Sequence, residues 1–298
     1  MQGQHNRGGL GAAVAAAAGG SGLGRGGRSG KDAGRTPRTF MHTLRSLITR
    51  VGRLGAFLPF CLLPLAAQIT ESPLTVAPGS FLLEMDAISV SIDRDAGDKY
   101  TAVGLASTFL TTGLTERIDV QVGAELYLHQ KFDSAGLRER NSGLGDVYFR
   151  TKWTFWRDEG NAAAAALLPY VKVPTNSGGV GNDAVEGGVI VPWMRALPGG
   201  GHLHAMAQWD LVRNPDDTGY DSGFFVSASL DRPLTKALGV YAEATASKSS
   251  GGEPGAVTIG AGATLAISQH AWWDFSVYRG LTRGAADWNP VIRFNWGF

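Results

Sequence analysis

The sequence predicts an all-β chain that forms a transmembrane, antiparallel, up-and-down β-barrel of about twelve strands. Three observations support this prediction: segments of alternating apolar and polar residues recur from residue 80 to the end, an export signal precedes them, and the last segment ends on an aromatic carboxyl terminus. No apolar run reaches the roughly 20 residues of a spanning helix. Any crossing of a membrane must therefore be made by strands.

The first 67 residues divide into two processing segments. Residues 1–40 are rich in Gly, Ala and Arg, a low-complexity leader that cannot bury a core and that is not translated if Met41 is the true start. Residues 41–67 match a signal peptide, with arginines first, then a short apolar stretch and small residues for cleavage. We therefore expect secretion through the inner membrane, a short N-terminal segment at 68–79 and a barrel at 80–298.

Charge and cysteine content exclude several classes of function. Residues 1–67 hold nine of the 27 basic residues and one of the 26 acidic residues, so the rest of the chain carries a net charge of about −7. A domain this acidic is a poor partner for nucleic acid, and none is expected. The single cysteine, Cys61, excludes an intramolecular disulfide and a paired-cysteine metal site. We expect no metal and no cofactor.

Twelve segments alternate between apolar and polar residues, separated by clusters of Gly, Asp, Asn or Pro. In the clearest one, Ile118, Val120 and Val122 share one parity, and Asp119 and Gln121 share the other. Opposite parities lie on opposite faces of a sheet, so each segment predicts a strand with one apolar face. The segments span 81–92, 100–112, 118–129, 147–155, 162–173, 185–194, 203–211, 222–231, 238–245, 257–265, 271–281 and 288–298.

The first segment changes phase within its length. Leu83 and Met85 lie on one parity, whereas Ile88 lies on the other. One extra residue in a strand reverses the phase of its side chains. We therefore predict a β-bulge near Asp86–Ala87.

The last segment carries a barrel-assembly signal. Its apolar residues fall on one parity, run to the end of the chain and alternate with polar residues that include Asn289 and Asn295. This pattern resembles the C-terminal signal of bacterial outer-membrane barrels, in which the final strand closes the barrel. The residues assigned to it are Trp288, Ile292, Phe294, Trp296 and Phe298.

The connections between segments orient the predicted barrel. Twelve is an even number, which returns both termini of a bacterial barrel to the periplasm. The glycine-rich connections 131–144 and 174–184 are long, whereas 113–117, 157–161 and 268–270 are tight. Since these barrels carry long loops outside and short turns in the periplasm, the tight turns are expected at the periplasmic end.

A soluble barrel or sandwich, with its apolar face inward, is the alternative. Two features favour the membrane barrel. Charged residues and tyrosines fill the polar face of many strands, and aromatic residues concentrate toward strand ends, as interfacial girdles do. These aromatic residues are Trp153, Phe155, Trp193, Trp209, Trp272, Trp273, Trp288 and Trp296.

Three internal stretches carry a family resemblance. Residues 142–153 contain Gly-Leu-Gly-Asp, residues 168–176 contain Lys-Val-Pro-Thr, and residues 273–282 follow near the end. Together they resemble the family called "putative meta-pathway of phenol degradation", over roughly residues 80–298. The resemblance implies an outer-membrane barrel that acts as a transporter, and the family name implies hydrophobic or phenolic solutes. Residues 68–79 are too few for the N-terminal hatch that the long-chain fatty-acid channels carry.

If the apolar face meets lipid, the opposite face lines the lumen. Acidic and basic side chains there could orient a solute while tyrosine rings stack on it. The alternative is a salt-bridge network that only fills the lumen. The expected lumen residues are Glu84, Asp119, Glu125, Tyr127, Asp146, Tyr148, Arg150, Lys152, Tyr170, Lys172, Glu186, Asp210, Tyr241, Glu243, Asp274, Tyr278 and Arg293.

These observations predict an outer-membrane channel that passes small, hydrophobic or aromatic solutes by passive diffusion and is not an enzyme. Its expected partners are outer-membrane lipid, the barrel assembly machinery and the solute. Two alternatives remain. A lipid-modifying barrel enzyme needs a serine matched to a histidine on the lipid-facing side, and no such pair is found for His129, His202, His204 or His270. A structural or adhesive barrel would bind partners through its loops.

Overall fold

A computed structural model describes residues 69–95, 97–134 and 137–298; the expected leader and signal peptide lie outside these residues. Within them, no helix is long and apolar enough to span a membrane. The elements are β1 (Phe81–Asp95), β2 (Asp98–Gly113), β3 (Ile118–Ser134), β4 (Leu137–Gly143), β5 (Val147–Arg157), a 3-10 helix (Glu159–Asn161), β6 (Ala163–Val173), β7 (Glu186–Leu197), β8 (Gly201–Arg213), β9 (Tyr220–Pro233), β10 (Leu238–Ser249), β11 (Ala256–Ala266), β12 (Ala271–Gly280) and β13 (Trp288–Gly297).

The described strands form one closed antiparallel sheet. β4 continues the β3 hairpin beyond the wall, and β3 pairs with β5 below it, so twelve strands form the barrel. β1 closes the sheet against β13, with Met85 opposite Phe294. At the terminus, the backbone nitrogens of Phe81 and Phe298 donate to each other's carbonyl oxygens at 2.8 and 2.9 Å, and their rings stack with centroids 5.4 Å apart. The predicted twelve-stranded barrel is confirmed.

The side chains of the wall are arranged with apolar residues outside and polar residues inside. Large apolar side chains such as Phe224 (55% exposed) and Val122 (47%) face outward, whereas Asp119 and Lys172 are at most 1% exposed. A soluble barrel would bury its apolar face instead. The soluble alternative is therefore wrong, and the outer surface suits a hydrocarbon solvent.

The alternation of inward-facing and outward-facing side chains reverses at two places in the wall. The register of β1 against β13 shifts between Asp86 and Ile88, which confirms the predicted bulge. The second change, at Ala106, whose φ is +56°, was not predicted. Pairing of β2 with β3 resumes with Leu105 opposite Tyr127, and both side chains are about two-fifths exposed. Tyr127 therefore lies on the exposed outer face, and its assignment to the lumen is wrong.

The two ends of the barrel differ in their connections. Short turns at 114–117, 158–162, 198–200, 234–237 and 267–270 share one end with the termini. The opposite end carries the longer loops 174–185, 214–219, 250–255 and 281–287 together with the β3–β4 hairpin. The predicted long loop at 131–144 is thus mostly strand. Long and short connections alternate as expected except between β1 and β2, which a tight connection joins at the end that carries the long loops. By the loop-length rule, the end with the termini is still the periplasmic one.

The aromatic side chains of the strand ends divide between the two faces. Trp153, Trp209, Trp288 and Trp296 are 40–50% exposed on the outer surface, as the girdle prediction requires. Trp272 is buried, because it shares the parity of the buried Asp274. Trp272 therefore belongs to the interior and not to a girdle.

Candidate functional site

An N-terminal segment, residues 69–80, lies inside the barrel. Pro78 bridges to Gly113 at the end of β2, and the Val76 nitrogen donates to Asp119 on β3 at 3.3 Å. Farther in, the Pro73 carbonyl accepts the Thr154 hydroxyl at 2.5 Å. The segment then crosses to β9 and β10, so a stretch too short to form a hatch still occupies the lumen.

The inner end of the N-terminal segment is held by one carboxylate, that of Glu243. It accepts hydrogen bonds from the Ile69 nitrogen at 3.0 Å, and from the Thr70 nitrogen and hydroxyl at 2.7 and 2.5 Å. The Tyr278 hydroxyl adds a fourth bond at 2.7 Å, and the Thr70 hydroxyl also lies 2.7 Å from that of Ser227. Four donors satisfy a buried carboxylate whose charge would otherwise be costly in the interior.

Ile69 packs on an apolar patch of the lumen wall. The lumenal patch consists of Ala166, Leu168, Ile190, Met206 and Phe225, from β6 to β9, and Tyr170 borders it. The polar parity of the strands predicts a strongly charged interior, and this patch was not predicted. A signal was present, since Met206 shares the parity of His204 and Gln208. The lumen therefore offers an apolar surface beside the Glu243 acceptor, and we call the two together the Glu243 seat.

The middle of the N-terminal segment is tied to the opposite wall. Arg150 donates to Glu71 at 2.8 Å, and its guanidinium lies 4.0 Å from the centre of the Phe109 ring. A small cavity adjoins this pair, lined among others by Glu84, Glu125 and Tyr148. The cavity thus brings acidic, basic and aromatic groups together on the lumenal face.

Loop 174–185 closes over a buried charge cluster at the extracellular end. Lys172 lies 3.2 Å from Asp146 and 2.7 Å from Glu186, and all three side chains are almost fully buried. Asn176 donates to Asp146 from its backbone and its amide, and Asn182 donates to Glu186 at 2.7 Å. Lys172 therefore bridges both carboxylates, and the two asparagines of the loop bind the same pair.

The lumenal tyrosines donate to carboxylates of the wall. Tyr170 donates to Asp210 at 2.5 Å, and Tyr241 donates to Asp274 at 3.0 Å. Three aromatic rings lie flat over cross-strand glycines, a known way of filling the space beside a glycine. The pairs are Tyr278 with Gly260, Tyr241 with Gly262 and Phe109 with Gly123.

Sixteen of the seventeen predicted lumen residues face the interior, Tyr127 being the exception. Besides the groups above, Arg293 binds Asp86 at 2.5 Å, and Lys152 lies 4.0 Å from Asp119. The salt-bridge alternative thus describes part of the lumen correctly. It does not account for the Glu243 seat, where hydrogen-bond donors hold the carboxylate and no cation among the described residues pairs with it.

One further cluster lies near the periplasmic end. His202 and His204 on β8 face Asp231 on β9, with nitrogen–oxygen distances of 3.2 and 3.0 Å. From the sequence, these histidines were candidates only for catalytic bases, and no metal site was expected. The cluster was not predicted because Asp231 lies 27 residues beyond His204 and meets it only through strand pairing.

The fold is shared with a solved outer-membrane channel. The COG4313 outer membrane channel from Pseudomonas putida F1 is 12% identical, with a TM-score of 0.60 over 76% of this chain and 98% of that chain. The NanC porin is 6% identical, with a TM-score of 0.46 over 73% and 98%. An anion-selective porin from Comamonas acidovorans is 9% identical, with a TM-score of 0.38 over 74% and 100%. Among curated proteins there is no significant match.

The family resemblance of the sequence is confirmed by a match over residues 66–296, which is most of the chain. The matched region includes the N-terminal segment, the barrel and the lumenal residues described above. It stops two residues before Phe298. The chain belongs to the family described as "Putative MetA-pathway of phenol degradation".

Proposed function

We propose that this protein is an outer-membrane channel that passes small, hydrophobic or aromatic solutes by passive diffusion. The observation that carries the proposal is the Glu243 seat. There the N-terminal segment presents an apolar side chain, Ile69, beside hydrogen-bond donors of Thr70. A phenol-like solute has the same two parts, an apolar body and a hydroxyl donor.

The Glu243 seat matches such a solute in its polar and apolar parts. Phe225 and Met206 supply an aromatic ring and a polarisable thioether on the apolar side. Glu243 supplies acceptor oxygens at the edge of this surface. Binding pockets of this kind combine a mostly apolar lining with a few polar groups that fix orientation. The N-terminal segment must leave the seat before a solute can occupy it.

Location and assembly belong to the same proposal. The outer-membrane barrel fold supports a place in the outer membrane, with lipid and the barrel assembly machinery as partners. Residues 41–67 would direct export and be removed, so the mature protein would begin at Gln68. N-terminal sequencing of the membrane-inserted protein checks this, and a start within residues 1–67 would contradict it.

A reversible cross-link tests the channel. The Thr70 and Ser227 hydroxyl oxygens lie 2.7 Å apart, close enough for cysteines at both positions to form a disulfide. In a Cys61→Ser background, the Thr70→Cys/Ser227→Cys protein should conduct little in planar bilayers when oxidised and more when reduced. Benzyl alcohol should interrupt the current of the reduced form, whereas sucrose should not.

The single variant Thr70→Cys is the matched control, since it cannot form the cross-link and should not respond to reductant. Equal conductance of the oxidised and reduced double variant would refute the role of the N-terminal segment. If the barrel conducts in neither the oxidised nor the reduced state and cleaves lipid, the channel proposal is refuted in favour of the lipid-modifying enzyme. Current that benzyl alcohol leaves unchanged would refute the solute class.

A further inference from the structure

We infer that His202, His204 and Asp231 form a binding site for a divalent first-row transition-metal ion, such as Zn²⁺ or Co²⁺. The three side chains lie at the periplasmic ends of β8 and β9 on the lumenal face. Two imidazoles and one carboxylate are ligands that these ions accept together, often with coordination positions left for water.

The positions of the ligand atoms suit one ion. The coordinating atoms of the three side chains all lie within 4.8 Å of one another. Ligand atoms bound to one tetrahedral ion at about 2.1 Å lie about 3.4 Å apart. The ligand atoms therefore need to close by at most about 1.4 Å, a distance that rotation of the side chains supplies. Since Oδ1 of Asp231 faces His202 and Oδ2 faces His204, the carboxylate can chelate an ion between the rings.

Strand pairing sets this geometry in advance. His202 lies directly opposite Asp231, and His204 lies opposite Ser229, so all four side chains share one face of a two-strand ladder. The rings of His202 and His204 are 5.8 Å apart. Because both strands belong to the closed wall, the ligands are held in place before the ion binds, which lowers the entropic cost of binding.

The burial of the cluster gives the ion a protected side and an open side. The His204 side chain is fully buried, whereas those of His202 and Asp231 are 29% and 20% exposed. The buried Ser229 hydroxyl has no hydrogen-bond partner among the described residues, so its oxygen is available to the site. An ion can therefore enter from the exposed side of His202 and keep water there.

Binding replaces the two hydrogen bonds to Asp231 by metal–ligand bonds. Each imidazole then turns a lone pair to the ion and carries its proton on the other ring nitrogen. The ion would link β8 to β9 near the turns 198–200 and 234–237. This inference does not depend on the proposed channel function, because it concerns different residues and a different ligand.

Cobalt absorption tests the site. The full barrel, purified without a polyhistidine tag and titrated with Co²⁺ in detergent, should bind one ion with ligand-field bands in the visible range. His202→Ala and Asp231→Asn should each weaken binding at least about tenfold. His202 is half-buried, so its variant should fold, which the migration of unheated protein in gels verifies.

The controls are histidines elsewhere in the barrel. His129 hydrogen-bonds Ser142 in the hairpin of the opposite end, so the expectation that this histidine has no matched serine was wrong. His270 lies in a turn of the same end as the cluster. His129→Ala and His270→Ala should bind Co²⁺ as the unmodified barrel does. Absence of bound Co²⁺ would overturn the inference, as would spectra that His202→Ala leaves unchanged.

Discussion

The Glu243 carboxylate accepts hydrogen bonds from both the backbone nitrogen and the hydroxyl of Thr70, although 173 residues separate the two. These bonds attach the first described residues of the chain to the far wall of the lumen. Hydrogen bonds to a charged group contribute about 1.5–3 kcal/mol each. That is enough to hold the N-terminal segment in place, and small enough for it to be released.

Replacing Glu243 by Gln should loosen the N-terminal segment. An amide offers one acceptor oxygen and no charge, so the bonds from Ile69 and Thr70 weaken. A loss of about 1.5–3 kcal/mol shifts the balance of closed and open states about 10- to 100-fold. Single-channel recordings should therefore show longer open times. Glu253→Gln, in loop 250–255, is the control and should leave dwell times unchanged. Identical dwell times in Glu243→Gln would contradict the attachment.

Replacing Lys172 by Met should destabilise the barrel. Without the cation, Asp146 and Glu186 remain as buried carboxylates that repel each other, a change that costs about 3–5 kcal/mol. Urea unfolding in lipid, followed by tryptophan fluorescence, measures the loss. Lys248→Met is the control, since Lys248 is exposed and bonds only to the Glu253 carbonyl oxygen among the described residues. A loss no larger than that of the control would show that the cluster does not stabilise the fold.

Replacing Gly260 by Ala should displace the Tyr278 ring. A Cβ atom at this position would lie 2.2 Å from the ring, so the ring must move and its hydroxyl leaves Glu243. We expect a loss of about 1–3 kcal/mol in unfolding free energy, as in other overpacked sites. Gly219→Ala is the matched control, because its Cβ atom would meet nothing closer than 3.7 Å. Equal stability of the two variants would contradict this packing.

A side chain at position 127 should be accessible to a reagent dissolved in the lipid. In a Cys61→Ser background, Tyr127→Cys should react with a membrane-soluble maleimide and resist a charged, water-soluble thiol reagent. Ser107→Cys should show the opposite preference, since Ser107 lines the lumenal cavity. Labelling of position 127 by the charged reagent alone would show that Tyr127 faces the lumen.

Alternation along the chain was sufficient to predict most of the wall. The alternation of side chains along a strand is set by neighbouring residues. Lipid outside the barrel requires apolar side chains on one face of each strand, and the polar lumen requires polar side chains on the other. The bulge at Asp86 was visible because Met85 and Ile88 are both apolar. The phase change at Ala106 was not recognised, although Leu105 and Leu110, which are both exposed, lie on opposite parities. Tyr127 was consequently placed on the wrong face.

The sequence by itself determined the strand number and the faces of most strands, since both follow from neighbours along one strand. The aromatic terminus indicated, by resemblance, which strand closes the barrel. The tertiary structure alone decided which lumenal groups meet. Contacts between Thr70 and Glu243, or between His202 and Asp231, depend on the register and stagger of strands around a closed wall. No local pattern encodes those distances, so the Glu243 seat and the histidine cluster appear only once the barrel is closed.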